Sequence, residues 1–177
     1  HHVVVNTVIT GGTLIQPDGT LDASIAIDDG TIVAIGERSD LPDAETIVDA
    51  TGQLVMPGAV DVHVHLDDMF SNDTYGTASR AAALGGTTTF IDFAWQAWVS
   101  KSSIFDEEST LLEGIERKQA KAEDSIIDYS LHGAITREDP EVLDELPKII
   151  DEGVTSIKMF TAYEFGISNG FINEVFQ

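Results

Sequence analysis

From Val3 to Met56 the apolar residues fall in short β-branched runs, Val3–Thr10, Thr13–Ile15, Ser24–Ile27 and Thr31–Ile35. Turn formers separate them at Gly11–Gly12, Pro17–Thr20 and Asp28–Gly30. Runs of this kind read as strands, and Asp29–Gly30 between two of them is a hairpin signal. No helical period occurs in this stretch, so residues 3–56 read as a small all-β module. His1 and His2 look like the end of a purification tag and carry no functional argument.

Past Met56–Pro57–Gly58 the pattern changes. Strand-like apolar runs at Ala59–Leu66, Thr87–Phe93, Ile126–Ile135 and Thr155–Phe160 alternate with helical stretches at Asp73–Leu84, Ile104–Ala122 and Pro140–Ile150. Gly85–Gly86 stops the first helix. Asp139–Pro140 opens the third, where Val142, Leu143, Leu146, Ile149 and Ile150 form one stripe. Pro147 within it is expected to kink or divide the helix. Phe171–Phe176 reads as the start of another helix. Strand, helix, strand, repeated, predicts parallel βαβ units in an open α/β sheet or a (β/α) barrel, and periodicity does not choose between the two.

Charge adds a second layer. The 177 residues carry 31 acids and 9 bases, a formal net charge of -22. So negative a surface repels phosphates, which argues against nucleic acid and anionic membranes as partners. No apolar run approaches the roughly 18 residues a membrane span needs. The 42 % hydrophobic content is enough for a core. Residues 1–57 hold nine acids and one base and residues 101–153 hold fifteen acids and six bases, so the carboxylates are spread over surface-like stretches instead of being gathered in one site. Such spreading resembles proteins of organisms that keep molar salt in the cytoplasm, where screening relieves self-repulsion. Cysteine is absent, which removes disulfides and thiolate metal sites and fits a cytoplasmic setting.

Two features carry chemistry. In Gly58–Leu66, alternation places Asp61, His63 and His65 on one strand face and Val62, Val64 and Leu66 on the other. The pair reads either as a chance pair on a solvated strand face or, since the partner face is apolar and two unpaired imidazoles on a buried strand are costly, as ligands of a metal ion that satisfies both. Lys158 lies in the apolar run Ser156–Phe160. It reads either as a snorkelling lysine at a strand end or as a partly desolvated amine serving as a base, a Schiff-base former or a captor of carbon dioxide.

Together, HVH at His63–His65, GGTTTFIDF at Gly85–Phe93, DYSLH at Asp128–His132 and GVTSIKMFTAY at Gly153–Tyr163 resemble the dihydropyrimidinase/hydantoinase branch of the amidohydrolase superfamily, in order and over nearly the whole chain. The resemblance implies an α/β fold. Residues 3–56 become the N-terminal part of a β-sandwich domain, and residues 57–177 the first four β/α units of a truncated (β/α)8 barrel.

It also implies a hydrolase that opens cyclic amides, dihydropyrimidines or hydantoins, by attack of a hydroxide bridging two divalent ions. Zinc is the default metal, with manganese, cobalt or iron as alternatives. His63 and His65 match the ligands of one ion, and Lys158 matches a lysine carboxylated on Nζ that bridges both. Tyr163 matches a tyrosine whose phenol stabilises the oxyanion. The family's further ligands are two histidines and an aspartate on later strands, the aspartate acting as general base. After Lys158 this chain has neither His nor Asp. With three of six metal-site residues present, the expectation is an N-terminal portion of a longer enzyme, inactive alone and, at full length, a homo-oligomer, tetrameric by family analogy.

Asp67 and Asp68 follow HVH in a strand-to-helix loop, and Asp67 is a candidate substrate contact. His132 reads as structural, and Trp95 and Trp98 either line a pocket or simply pack. Asp67 also stands where a dihydroorotase is expected to carry an arginine. Allantoinase and non-catalytic dihydropyrimidinase-like scaffolds are the rival readings. The charge pattern leads to one expected outcome: circular dichroism should show unfolding in dilute buffer and recovery in molar salt, and a chain fully folded at low ionic strength contradicts the salt-adapted reading.

Overall fold

Asp29 and Gly30 both take positive φ, 47° and 70°, the backbone that a two-residue hairpin turn requires. They join β4 (Ser24–Asp28) to β5 (Thr31–Gly36), with Asp28 opposite Thr31. The hairpin signal in the sequence is therefore realised. The computed structural model describes residues 3–101, 103–163 and 166–177; His1 and His2, read above as a tag remnant, lie outside them. The chain divides into two compact units, His1–Pro57 and Gly58–Gln177.

In the first unit, β1 (Val4–Thr10) runs antiparallel to β4 and parallel to β6 (Asp43–Asp49), so that Val8 faces Ala26 on one side and Ile47 on the other. Val5, Val8 and Ala26 form its buried core. A second small sheet pairs β2 (Thr13–Gln16) with β3 (Gly19–Asp22) and β7 (Leu54–Val55). Gly19 and Thr20, expected in a turn, belong to β3. The acidic β6 carries little apolar signal, because its side chains are exposed apart from Ala44.

The second unit is a curled, all-parallel sheet in the order β11-β10-β9-β8, half of a (β/α)8-type barrel. Its strands are β8 (Ala59–Asp61), β9 (Thr87–Trp95), β10 (Asp128–Ile135) and β11 (Ile157–Met159). The helices are α1 (Tyr75–Leu84), α2 (Leu111–Ala122), α3 (Pro140–Asp151) and α4 (Asn169–Val175).

Three departures from expectation matter most. The first strand leaves regular pairing after Asp61, although the Val64 amide still donates to the Ile91 carbonyl (3.2 Å), which keeps the histidine segment beside β9. Helix α2 begins at Leu111 instead of Ile104, because Thr110 and Glu113 form a reciprocal capping box. Helix α3 runs on through Pro147, which is exposed. The apolar stripe of α3 is also narrower than its sequence suggests: Val142 and Ile149 are buried, whereas Ile150 is exposed. Among the described residues no helix is long and apolar enough to cross a membrane.

The core of this unit packs Ala94, Leu111, Ile115, Leu131, Ile135, Val142 and Ile149 between sheet and helices. Helix α2 approaches β9 closely because position 114 has no side chain; a Cβ there would lie well inside van der Waals contact with the Trp95 carbonyl. Since that obstacle is backbone, the helix itself would have to move. Gly114→Ala is therefore expected to destabilise the chain by about 1–3 kcal/mol despite the better helix propensity of alanine, measured as a lowered urea midpoint.

Candidate functional site

Parallel β/α units carry their functional residues at the C-terminal ends of the strands, and there the chain gathers its aromatic and imidazole groups. His63, His65, Phe70, Phe93, Trp95, Lys158 and Phe160 line a cleft of about 210 Å³. The rings of His63 and His65 meet edge to face at 5.3 Å, and Phe93 packs on both, at 4.7 and 5.0 Å. Trp95 stacks between His65 and Phe160, 6.0 Å from each. Lys158 Nζ lies 4.9 Å from the centre of the Phe160 ring, a cation–π distance.

Beneath this cleft is a buried ion pair. Asp92 has no exposed surface and Lys118 retains 5 %. Asp92 Oδ2 accepts from Lys118 Nζ (2.8 Å) and from the Tyr75 hydroxyl (2.7 Å), and Oδ1 accepts from the Phe93 amide (2.7 Å). The three protons of the Lys118 ammonium have three acceptors: Asp92, Asp68 Oδ2 (3.4 Å) and the Leu66 carbonyl. Burial, followed by the charge of Asp92, pushes the Tyr75 phenol well above its ordinary value, so Tyr75 remains a donor.

His65, Asp68 and Asp92 offer ligand atoms all within 4.8 Å of one another, a spacing suited to a cation. That position is already taken, since the Lys118 ammonium bonds both carboxylates. A divalent ion fits better in the aromatic cleft. His65 lines that cleft, while its buried Nδ1, which has no hydrogen-bond partner among the described residues, faces Asp68 Oδ2 at 3.8 Å, near enough for charge attraction and too far for a hydrogen bond. His63 stands beside it and Lys158 lines the same cleft.

The residues singled out in the sequence separate as follows. His63, His65 and Lys158 come together. Tyr163 has positive φ (68°) and is 80 % exposed; its ring meets Phe160 at 6.5 Å without lining the cleft. Asp67, also at positive φ (52°), accepts from the Tyr75 amide at the start of α1 (3.4 Å) and borders a neighbouring pocket with Asp68, Lys118 and Lys121. His132 is engaged at both nitrogens. Nε2 lies 3.0 Å from the Val62 carbonyl, which only accepts, so in the neutral ring Nδ1 accepts from Ser156 Oγ at 2.6 Å. It thereby ties the histidine segment to the later strands. Trp95 walls the cleft, while Trp98 donates to Thr136 Oγ1 (3.2 Å).

Asp92, Lys118 and Tyr75 were not singled out in the sequence. A signal existed: Asp92 is the one charge in Thr87–Trp95, and Lys118 shares a stripe with Leu111, Ile115 and Ala122.

No family model matches the chain. A D-hydantoinase of Streptomyces coelicolor is 39 % identical over 166 residues, covering 89 % of this chain and 34 % of that protein. A solved D-hydantoinase structure superposes with a TM-score of 0.81 at 35 % identity, covering 97 % of this chain and 36 % of that one. Dihydropyrimidinase from Brevibacillus agri gives 0.80 at 33 % identity, covering 95 % and 36 %. The chain thus spans about a third of the length of the curated relatives it matches.

Removing the phenol that donates to Asp92 leaves a buried carboxylate one partner short. Tyr75→Phe is expected to lower stability by about 1–3 kcal/mol, read as a urea midpoint shift with unchanged secondary structure by circular dichroism.

Proposed function

Over most of its 177 residues the chain belongs to the hydantoinase/dihydropyrimidinase family, and from that premise we propose that it provides one side of the metal centre of a hydrolase that opens cyclic amides. The observation that carries this reading is the convergence of His63, His65 and Lys158 on one aromatic-walled cleft. His63 and His65 would hold one divalent ion, zinc by default. Lys158 would join it once its ammonium has lost one proton and the neutral amine has added to carbon dioxide: the new N–C bond gives a carbamate, a second proton is released, and carboxylate oxygens that could serve as metal ligands stand where the cation was. A divalent ion held there supplies Lewis-acid polarisation of a carbonyl and a water that is nucleophilic near neutral pH.

The chain's own residues account for the rest. Phe70, Phe93, Trp95 and Phe160 offer flat apolar walls to a planar ring and exclude water from it, which strengthens polar contacts inside the cleft. Tyr163 stands outside the cleft with its ring 6.5 Å from that of Phe160, and would have to turn inward to donate its phenolic hydrogen bond to the amide oxygen as charge develops there. His132, held by Val62 and Ser156, would keep the histidine segment in register with the strand that carries Lys158. Hydantoins and dihydropyrimidines are the substrate classes that suit such a cleft.

Intact-mass and metal analysis of the protein at full length tests this reading. The expected result is one added carbon dioxide on Lys158 and two metals per chain; an unmodified lysine in a metal-free protein overturns it. Lys158→Ala is expected to abolish hydrolysis of dihydrouracil and hydantoin, and unchanged turnover would refute the role of the lysine.

A further inference from the structure

We propose that Lys118 is a positioning residue for His65, acting as a built-in cation among His65, Asp68 and Asp92 that orients the imidazole for its metal. The inference rests on the metal-centre reading above and deepens it.

The contacts of Lys118 bracket His65. Lys118 Nζ donates to the carbonyl of Leu66, the next residue, and to the carboxylate of Asp68, whose Oδ2 stands 3.8 Å from His65 Nδ1. A metal-binding imidazole is commonly oriented by a carboxylate at its other nitrogen; Asp68 stands on that side of His65, in charge attraction at 3.8 Å and not hydrogen-bonded, and the ammonium fixes it there. The third acceptor, Asp92, is fixed by Tyr75 and by the amide of Phe93, whose ring stacks on His65 at 5.0 Å. One cation therefore ties together the chain after the imidazole, the acid beside it and the base of the ring that packs against it.

The cation is itself immobile. Lys118 projects from α2 one turn after Gly114, where the helix lies against the backbone of β9, and Ile115 is fully buried. A lysine so placed keeps its charge in one spot, which a surface lysine cannot do. The same placement explains why His65, Asp68 and Asp92, although spaced for a metal, need no external ion: a second cation would face the ammonium at contact distance.

The test uses the full-length protein and two variants, Lys118→Met and Lys118→Met combined with Asp92→Asn, the second removing the fully buried one of the two carboxylates that the first leaves without their cation. Zinc affinity is measured by competition with a chromophoric chelator, and the ligand field by the visible spectrum of the cobalt-substituted protein. The expected result is about a tenfold loss of zinc affinity and an altered cobalt spectrum in both variants, even though the double variant regains thermal stability. A purely structural role predicts that affinity follows stability, lost in the single variant and restored in the double; that outcome, or wild-type affinity in a folded double variant, overturns the inference alone. If the wild-type protein takes up no zinc, or if its zinc survives His63→Ala, the metal centre falls and the inference with it.

Discussion

Asp92 has no exposed surface, and an ionised carboxylate in such a place persists only where protein dipoles and a countercharge replace its water. The barrel half is arranged to supply them. Helix α2 must come close enough to β9 for Lys118 to reach, which a side chain at position 114 would prevent. Helix α1 must present Tyr75, and the loop after the histidines must turn its Leu66 carbonyl and Asp68 toward the same ammonium. Two helices, one strand and one loop are thus held together by a single ion pair. Breaking such a pair from one side is far more costly than its net contribution to stability, because an unpaired buried charge is left behind.

The cleft above depends on that arrangement. His65 is packed by Phe93, Phe70 and Trp95 and lies next to the segment that Lys118 anchors. An acidic protein has few cations to place, and this one, with 9 bases against 31 acids, buries one of them under the cleft and puts another, Lys158, in its wall. The remaining acidity lies mainly on exposed positions such as Asp18, Glu45, Glu116 and Asp144, where water and salt screen it. Net charge and chemistry are thus spatially separate in this molecule.

Much of the architecture was legible from pattern. The Asp29–Gly30 hairpin and the alternation of strands and helices after Pro57 follow from local period and residue type, whereas the grouping of His63 and His65 with Lys158 follows from the family resemblance. What escaped was local in a different way. The start of α2 was set by Thr110 and Glu113 and not by the apolar residue at Ile104, so capping chemistry overruled hydrophobic pattern. Strand β6 escaped because only Ala44 of its residues is even partly buried. Pro147 does not divide α3, which runs on through it.

Residue order by itself determined most of the element types and the histidine pair one residue apart, which depend on local period, and similarity spread over the chain joined Lys158 to that pair. Only the tertiary structure decided that Asp92 and Lys118, 26 positions apart, share one buried site, and that this ammonium fills a position a metal would suit. It also decided that Asp67 holds the start of α1 while Tyr163 stands outside the cleft. The physical reason is that burial and countercharge are properties of packed surfaces: a lone charge in an apolar run shows that some partner must exist, and only the folded backbone determines which one can reach it.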